Sequence, residues 1–182
     1  MIVGVAGFQN SGKTRLVELI IPRIIQGGFS VVSVKHIAHD DLAVDAAGTD
    51  TFRHKRAGSR VAVAVSDQET VYFHARAQTL DQILARLKEL EPADLILVEG
   101  FKGSALPKIV IGEVAHGGPA LWRWDGTEAG AAHIAESLMA GIRAERAGLR
   151  RTGARRPRGR GRASSPPSRN RRRSGRRAAL RR

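Results

Sequence analysis

Residues 2–14, which read IVGVAGFQNSGKT, decide the fold. Residues 2–6 are a short apolar run that ends at a glycine, which is typical of a buried strand. The apolar residues that follow the stretch recur with helical spacing, at Val17, Ile20, Ile21 and Ile24. Between the two patterns, residues 7–14 fit G-x-x-x-x-G-K-[ST] in full. The sequence therefore predicts a strand, a glycine-rich loop and a helix, in that order.

The loop has the composition of a phosphate-binding site. Gly7 and Gly12 permit backbone angles and close approach that a Cβ would block, so backbone N–H groups can point at phosphate oxygens. The positive end of the following helix adds to this attraction. We predict that Lys13 reaches the β- and γ-phosphates of a purine nucleoside triphosphate, and that the Thr14 hydroxyl holds Mg²⁺. The nucleotide-binding residues predicted in the loop are Gly7, Asn10, Ser11, Gly12, Lys13 and Thr14.

A second acidic residue to anchor the metal is expected near this loop. Residues 94–99 are a predicted strand with four consecutive apolar residues, and it ends in Glu99. Ligands bind open α/β sheets at the carboxyl ends of the strands, which is where this glutamate would lie. Glu99 is therefore the predicted metal-side acid, and the alternative is a solvated carboxylate at a strand end.

The polar segment Lys35–Asp50 follows the second strand and is predicted to be a long functional loop. Its carboxylates, Asp45 among them, can hold Mg²⁺ through water or orient an attacking water. Histidines beside aspartates at residues 36–41 also suggest a transition-metal site. Because phosphate oxygens prefer a hard cation, we favour Mg²⁺ over a transition metal at this position. Lys35 and His36 are predicted to contact the nucleotide.

The remaining chain alternates strands with helices. The predicted strands are 30–34, 61–65, 70–74, 94–99 and 108–111, of which 61–65 and 70–74 form a hairpin. The predicted helices after the first are a short basic helix at 51–58, one through Leu80–Leu87 and one at 127–145. Pro22 is expected to kink or shorten the first helix. This order predicts an α/β, P-loop NTPase-like fold with a mostly parallel sheet flanked by helices.

The net charge of +14 is concentrated at one end of the chain. Residues 150–182 contain 15 arginines and no acid, whereas residues 1–149 hold the other 16 basic residues and all 17 acidic ones, a net charge of −1. We predict one nucleotide-binding domain at 1–149 and a disordered arginine-rich tail at 150–182. Such a tail can bind polyanions without sequence readout, so a nucleic-acid-binding protein is one alternative function.

The chain contains no cysteine, which excludes disulfides and thiol nucleophiles. No apolar run approaches the roughly 18 residues of a membrane-spanning helix. We therefore expect a cytoplasmic protein without membrane association.

Four segments together resemble the molybdopterin-guanine dinucleotide biosynthesis protein B (MobB) family. They are the loop at residues 7–14, the residues Lys35-His36-x-x-His39-Asp40 with Asp45, Gly48 and Asp50, the segment 53–58, and Leu97-Val98-Glu99-Gly100-Phe101-Lys102 with Pro107-Lys108. The resemblance covers about residues 1–112.

The resemblance implies a homodimeric accessory protein that binds GTP and hydrolyses it weakly. Such a protein assists a molybdenum cofactor guanylyltransferase in attaching GMP to molybdopterin. Lys13, Asp45 and Glu99 are then the catalytic residues, and Thr14, Asp45 and Glu99 the metal ligands. The preference for guanine comes from the resemblance alone, because the guanine-reading pattern Asn-Lys-x-Asp is absent. A P-loop small-molecule kinase, with its acceptor over Asp45, is the other enzymatic alternative.

Overall fold

The structure is a computed structural model that describes residues 1–37 and 45–151. The strands are β1 (Ile2–Ala6), β2 (Val31–Lys35), β3 (Val61–Val65), β4 (Thr70–His74), β5 (Leu95–Glu99), β6 (Lys108–Ile111) and β7 (Ala120–Trp124). The helices are α1 (Lys13–Gln26), α2 (Asp50–Arg56), α3 (Leu80–Leu90) and α4 (Glu128–Arg151).

The central sheet has five strands in the order β2-β5-β1-β6-β7, and all four neighbouring pairs are parallel. Strand β1 is central, so the loop that follows it opens in the middle of the carboxyl edge. The register pairs Glu99 with Val5 on one side and with Lys35 on the other. This pairing brings the ends of β1, β2 and β5 to one place, and the predicted α/β fold with a mostly parallel sheet is confirmed.

Helices α1 and α4 cover one face of the sheet. The buried residues of α1 are Leu16, Ile20 and Ile24, which are spaced by one helical turn. They pack with Val3 and Val5 of β1 and with the apolar side of α4 in the larger core cluster. Helix α1 runs through Pro22 to Gln26, so the expected shortening does not occur. Pro22 is exposed, and the lost backbone hydrogen bond therefore faces water.

Helix α3 covers the opposite face. Leu84 packs there with Ile96 and Val98 of β5, in a smaller core cluster that also includes Phe101 and Leu106. The helix begins with a capping box in which Thr79 and Gln82 bond each other's backbone N–H. Both faces of β5 are thus covered, which explains its four consecutive buried residues.

Two elements differ from the sequence prediction. Strand β7 was not predicted, because its residues are mostly exposed at the sheet edge and Arg123 interrupts its apolar residues. Helix α4 continues to Arg151, six residues beyond the predicted end and two beyond the predicted domain boundary. The rest of the predicted tail, residues 152–182, lies outside the described residues. Within the described ranges, no helix is long and apolar enough to span a membrane.

Candidate functional site

A cleft of about 990 Å³ opens at the carboxyl ends of β1, β2 and β5. It lies between the glycine-rich loop, the end of β2 and the segment that follows β5. Eight of its lining residues were predicted for the site from the sequence, namely Gly7, Asn10, Gly12, Lys13, Thr14, Lys35, His36 and Glu99. The structure therefore brings most of the predicted site residues together.

The loop between β1 and α1 has the backbone of a phosphate cradle. Asn10 (φ 60°) and Gly12 (φ 91°) adopt left-handed conformations, and Gly12 caps the N-terminus of α1. A Cβ on Gly7 would overlap Ser11 Oγ and crowd Ile111, so the close packing of this position favours glycine. Ser11 Oγ is buried and has no hydrogen-bond partner among the described residues. The loop thus has a free polar group and close-packed glycines, which suit an oxygen-rich ligand.

Lys13 folds back over this loop. Its Nζ donates to the carbonyl oxygen of Gly7 at 3.2 Å and to that of Phe8. The ammonium group is therefore held across the mouth of the cradle. A phosphate seated in the loop would lie within reach of the same side chain.

Thr14, Glu99 and Lys35 form a polar cluster beside the loop. Thr14 Oγ1 donates to Glu99 Oε1 at 3.2 Å, and Lys35 Nζ donates to Thr14 Oγ1 at 3.3 Å. The Lys35 ammonium also lies 3.4 Å from Glu99 Oε1. Because one hydroxyl and one carboxylate oxygen face each other here, the cluster offers two hard oxygen ligands to a cation.

The turn after β5 is held in an unusual conformation. Gly100 (φ 91°) and Phe101 (φ 47°) both have positive φ, which costs a bulky residue such as phenylalanine conformational energy. A Cβ on Gly100 would lie 2.7 Å from the Cβ of His36, so this position also requires glycine. The rings of His36 and Phe101 are 4.4 Å apart. The ends of β2 and β5 are therefore packed together on the side of the cleft away from β6.

Asp45 belongs to a different cluster. Its carboxylate accepts hydrogen bonds from Thr49 and Thr51, both at 2.8 Å, and pairs with Lys55 at 2.7 Å. The hydrogen bond from Lys55 holds the pKa of this carboxyl below its usual value, with help from the two threonines and against the opposing effect of burial. Asp45 does not line the described cleft. It anchors the start of α2, and its predicted role as a metal ligand stays a prediction.

Mg²⁺ with a triphosphate fits the residues of the cleft. Thr14 and Glu99 supply oxygen ligands, and a magnesium ion usually takes only one or two protein ligands beside phosphate and water. In residues 1–37 and 45–151, no three His, Asp or Glu side chains lie close enough together to hold a metal by themselves. The transition-metal alternative drew on His39, Asp40 and Asp41 as well, which lie outside the described residues.

Two residues near the site were not predicted to belong to it, although Lys108 is part of the sequence resemblance. Trp124, at the end of β7, lies beside Gly12 and donates from its indole nitrogen to Thr127 O at 2.8 Å. Lys108 is fully buried, and its Nζ donates to Ser104 O, Ser104 Oγ and Leu106 O at 2.7, 3.0 and 3.1 Å. Burial lowers the pKa of Lys108. Lys108 thereby fixes the segment that leads from the cleft to β6.

The glycine-rich loop lies between the central strand and a helix, in a parallel sheet that is flanked by helices. This arrangement defines the class of P-loop NTPase-like α/β proteins. Comparison with known proteins identifies the family within this class. The family model for molybdopterin guanine dinucleotide synthesis protein B (MobB) matches residues 2–134. The chain belongs to the MobB family, as the sequence resemblance implied.

Individual relatives agree with this membership. A molybdopterin-guanine dinucleotide biosynthesis adapter protein of Haemophilus influenzae is 34% identical over 111 residues, which are 60% of this chain and 62% of that protein. The Escherichia coli K12 protein of the same name is 33% identical over 113 residues, 60% of this chain and 64% of that protein. The chain therefore spans less than two thirds of the length of these curated relatives.

Solved structures show the same fold. The crystal structure of Bacillus subtilis MobB matches with a TM-score of 0.51 and 33% identity, over 60% of this chain and 66% of that one. A crystal structure of molybdopterin-guanine biosynthesis protein B matches with a TM-score of 0.58 over 79% of this chain and 99% of that one, at 22% identity. At that lower identity the likeness concerns the fold alone.

Proposed function

We propose that this chain is a GTP-binding accessory protein of molybdenum cofactor biosynthesis. In this role it binds GTP with Mg²⁺ in the cleft, hydrolyses it weakly and assists a guanylyltransferase that attaches GMP to molybdopterin. The observation that carries the proposal is the cleft itself, where Lys13, Thr14 and Glu99 converge on the glycine-rich loop of a MobB-family chain. The relatives named as adapter proteins supply the pathway.

The proposed chemistry assigns one task to each group. The backbone N–H groups of residues 7–14 and the Lys13 ammonium bind the phosphates. Thr14 and Glu99 hold the metal, directly or through water, and the metal neutralises the charge that develops on the phosphates. No arginine lines the cleft as described, so these residues do not supply an arginine that would stabilise the charge of the transition state. Slow hydrolysis follows from this composition, and it suits an accessory role better than that of a rapid enzyme.

We also propose a homodimer in the cytoplasm. The hairpin β3–β4 is a separate two-stranded sheet, and one of its faces exposes Val63, Val65 and Tyr72 by 46%, 75% and 66%. Val63 and Tyr72 are register partners, so these side chains form one apolar patch. A second copy of the chain is the proposed cover for the patch. Analytical ultracentrifugation of wild type and Val65→Asp tests this, because the variant should shift the protein towards monomer, and an unchanged dimer or a monomeric wild type would contradict the proposal.

Nucleotide titrations test the proposed function. The full chain is titrated with GTPγS and with ATPγS, each in Mg²⁺ and in EDTA, and binding is measured by isothermal calorimetry. The proposal expects tighter binding of GTPγS, and an increase in affinity when Mg²⁺ is present. Equal binding of both nucleotides would remove the guanine preference, and no binding of either would overturn the proposal.

Incubation with labelled GTP separates the accessory role from the small-molecule kinase. Slow release of inorganic phosphate, without transfer to small-molecule acceptors, is expected for the accessory role. Addition of a molybdenum cofactor guanylyltransferase and molybdopterin should then increase the yield of the guanine dinucleotide. Transfer of the terminal phosphate to an acceptor would favour the kinase instead.

A further inference from the structure

The Lys35 ammonium group lies beside the two oxygen atoms that are proposed to bind Mg²⁺. It is the last residue of β2 and the register partner of Glu99, so the two Cα atoms are fixed as neighbours on adjacent parallel strands. Its Nζ lies 3.3 Å from Thr14 Oγ1 and 3.4 Å from Glu99 Oε1. These are the two oxygens proposed to face Mg²⁺. A side-chain cation thus already sits between the ligands of the proposed metal.

We infer that the Lys35 ammonium acts as an internal counter-ion that competes with Mg²⁺ for Thr14 and Glu99. The inference rests on the proposed function, because it concerns the same metal. Two cations within a few ångströms of the same two oxygens repel each other, so binding of the metal favours departure of the ammonium. The ammonium neutralises Glu99 while the site holds no metal, and it moves away when Mg²⁺ arrives with the nucleotide.

The surroundings permit this movement by the side chain alone. The Lys35 side chain is 57% exposed, whereas that of Glu99 is 12% exposed, so the lysine is the mobile partner and the carboxylate the fixed one. The backbone is held in place, because His36 N donates to Glu99 O at 2.9 Å. Because Lys35 itself lines the cleft, rotation of its side chain would carry the charge away from the carboxylate and towards the phosphates of the proposed complex.

The competition affects the Mg²⁺ concentration at which the site is half-saturated. An ion pair exposed to this extent contributes little free energy, so removing it should lower the half-saturating metal concentration by about two- to fivefold. Lys102 provides a matched control, because it lines the same cleft. Among the hydrogen bonds and ion pairs of the described residues, none joins Lys102 to Thr14 or Glu99.

The test measures the Mn²⁺ or Mg²⁺ requirement of the full chain at saturating GTPγS. Bound Mn²⁺ is followed by electron paramagnetic resonance and the Mg²⁺ dependence by calorimetry, for wild type, Lys35→Met, Lys35→Arg and Lys102→Met. Lys35→Met is expected to reach half-saturation at the lower metal concentration. Lys35→Arg retains the charge and should behave like wild type, and Lys102→Met should shift less than Lys35→Met.

The outcomes separate this inference from the proposed function. If Lys35→Met needs the same or more metal than wild type, or if Lys102→Met shifts equally, the inference fails while GTP binding stands. If wild type binds no triphosphate in either Mg²⁺ or EDTA, the proposed function fails and the inference fails with it. Circular dichroism of each variant establishes that the comparison is made between folded proteins.

Discussion

Thr14 Oγ1 donates a hydrogen bond to Glu99 Oε1 at 3.2 Å, although 85 residues separate the two in the chain. Thr14 lies in the first turn of α1, and Glu99 closes β5 beside β1. The parallel register of β1 with β5 therefore decides which carboxylate reaches the glycine-rich loop. The contact joins the proposed phosphate site to its proposed metal ligand. Substitution of either residue would test this link.

Glu99→Gln keeps the size of the side chain but removes its charge. Because interactions with a charged group contribute about 1.5–3 kcal/mol, GTPγS affinity in Mg²⁺ should fall by about 10- to 100-fold. Affinity in EDTA should remain close to that of wild type. Calorimetry measures both, with Glu89→Gln on the exposed side of α3 as control. Equal losses in Mg²⁺ and EDTA would mean that Glu99 supports the fold or the phosphates and not the metal.

Lys13→Ala removes the cation that lies across the phosphate cradle. Loss of a charge-assisted contact to phosphate should weaken GTPγS binding by about 10- to 100-fold, both with and without Mg²⁺. The neighbouring Arg15→Ala is the control, because Arg15 is exposed and does not line the described cleft. Undiminished affinity of a folded Lys13→Ala protein would contradict the proposed function at its centre.

Asp45→Asn tests whether the cluster around Lys55 stabilises the fold. Lys55 would lose its carboxylate partner, so the variant should melt at a lower temperature than wild type at pH 7. The pKa of Asp45 is lowered by folding, and its contribution is therefore present above the unfolded value and lost as the pH falls through the folded value.

The melting temperatures of the two proteins should accordingly begin to converge as the pH falls below about 3.8, the ordinary pKa of an aspartate, and should meet only below the lower pKa of Asp45 in the folded protein. Asp50→Asn is the control, because the side chains of Asp50 and its partner Arg53 are 86% and 74% exposed. If Asp45→Asn instead abolished the Mg²⁺ effect on nucleotide binding and left stability unchanged, the metal role predicted from the sequence would be favoured.

Local patterns were sufficient to predict β1, the glycine-rich loop and α1, because a buried strand, two glycines and a helical stripe each leave a signal within a few residues. Glu99 was also predictable, since it ends a run of four consecutive apolar residues. The pairing of Lys35 with Glu99 was not, because it depends on β2 lying next to β5 in a particular register. The edge strand β7 lacked a signal because its side chains are mostly exposed.

Lys108 is the clearest example of a residue whose burial could not be predicted from the sequence. A lysine in a strand is ordinarily expected to reach water, yet this one is fully buried beside Gly4. Glycine at position 4 leaves space for the lysine side chain, since a Cβ there would lie 3.2 Å from Lys108 Cγ. Only the three-dimensional structure shows that three oxygen atoms accept hydrogen bonds from its ammonium group.

Lys108→Ala should destabilise the protein by about 2–4 kcal/mol, because it leaves a cavity and strips Ser104 and Leu106 of their donor. Urea unfolding at pH 7 measures the loss, and trypsin cleavage after Lys102 should become faster as the freed segment opens. Lys88→Ala on the exposed side of α3 should stay within about 0.5 kcal/mol of wild type. A Lys108→Ala protein with wild-type stability and unchanged cleavage would show that the three hydrogen bonds do not hold this side of the cleft in place.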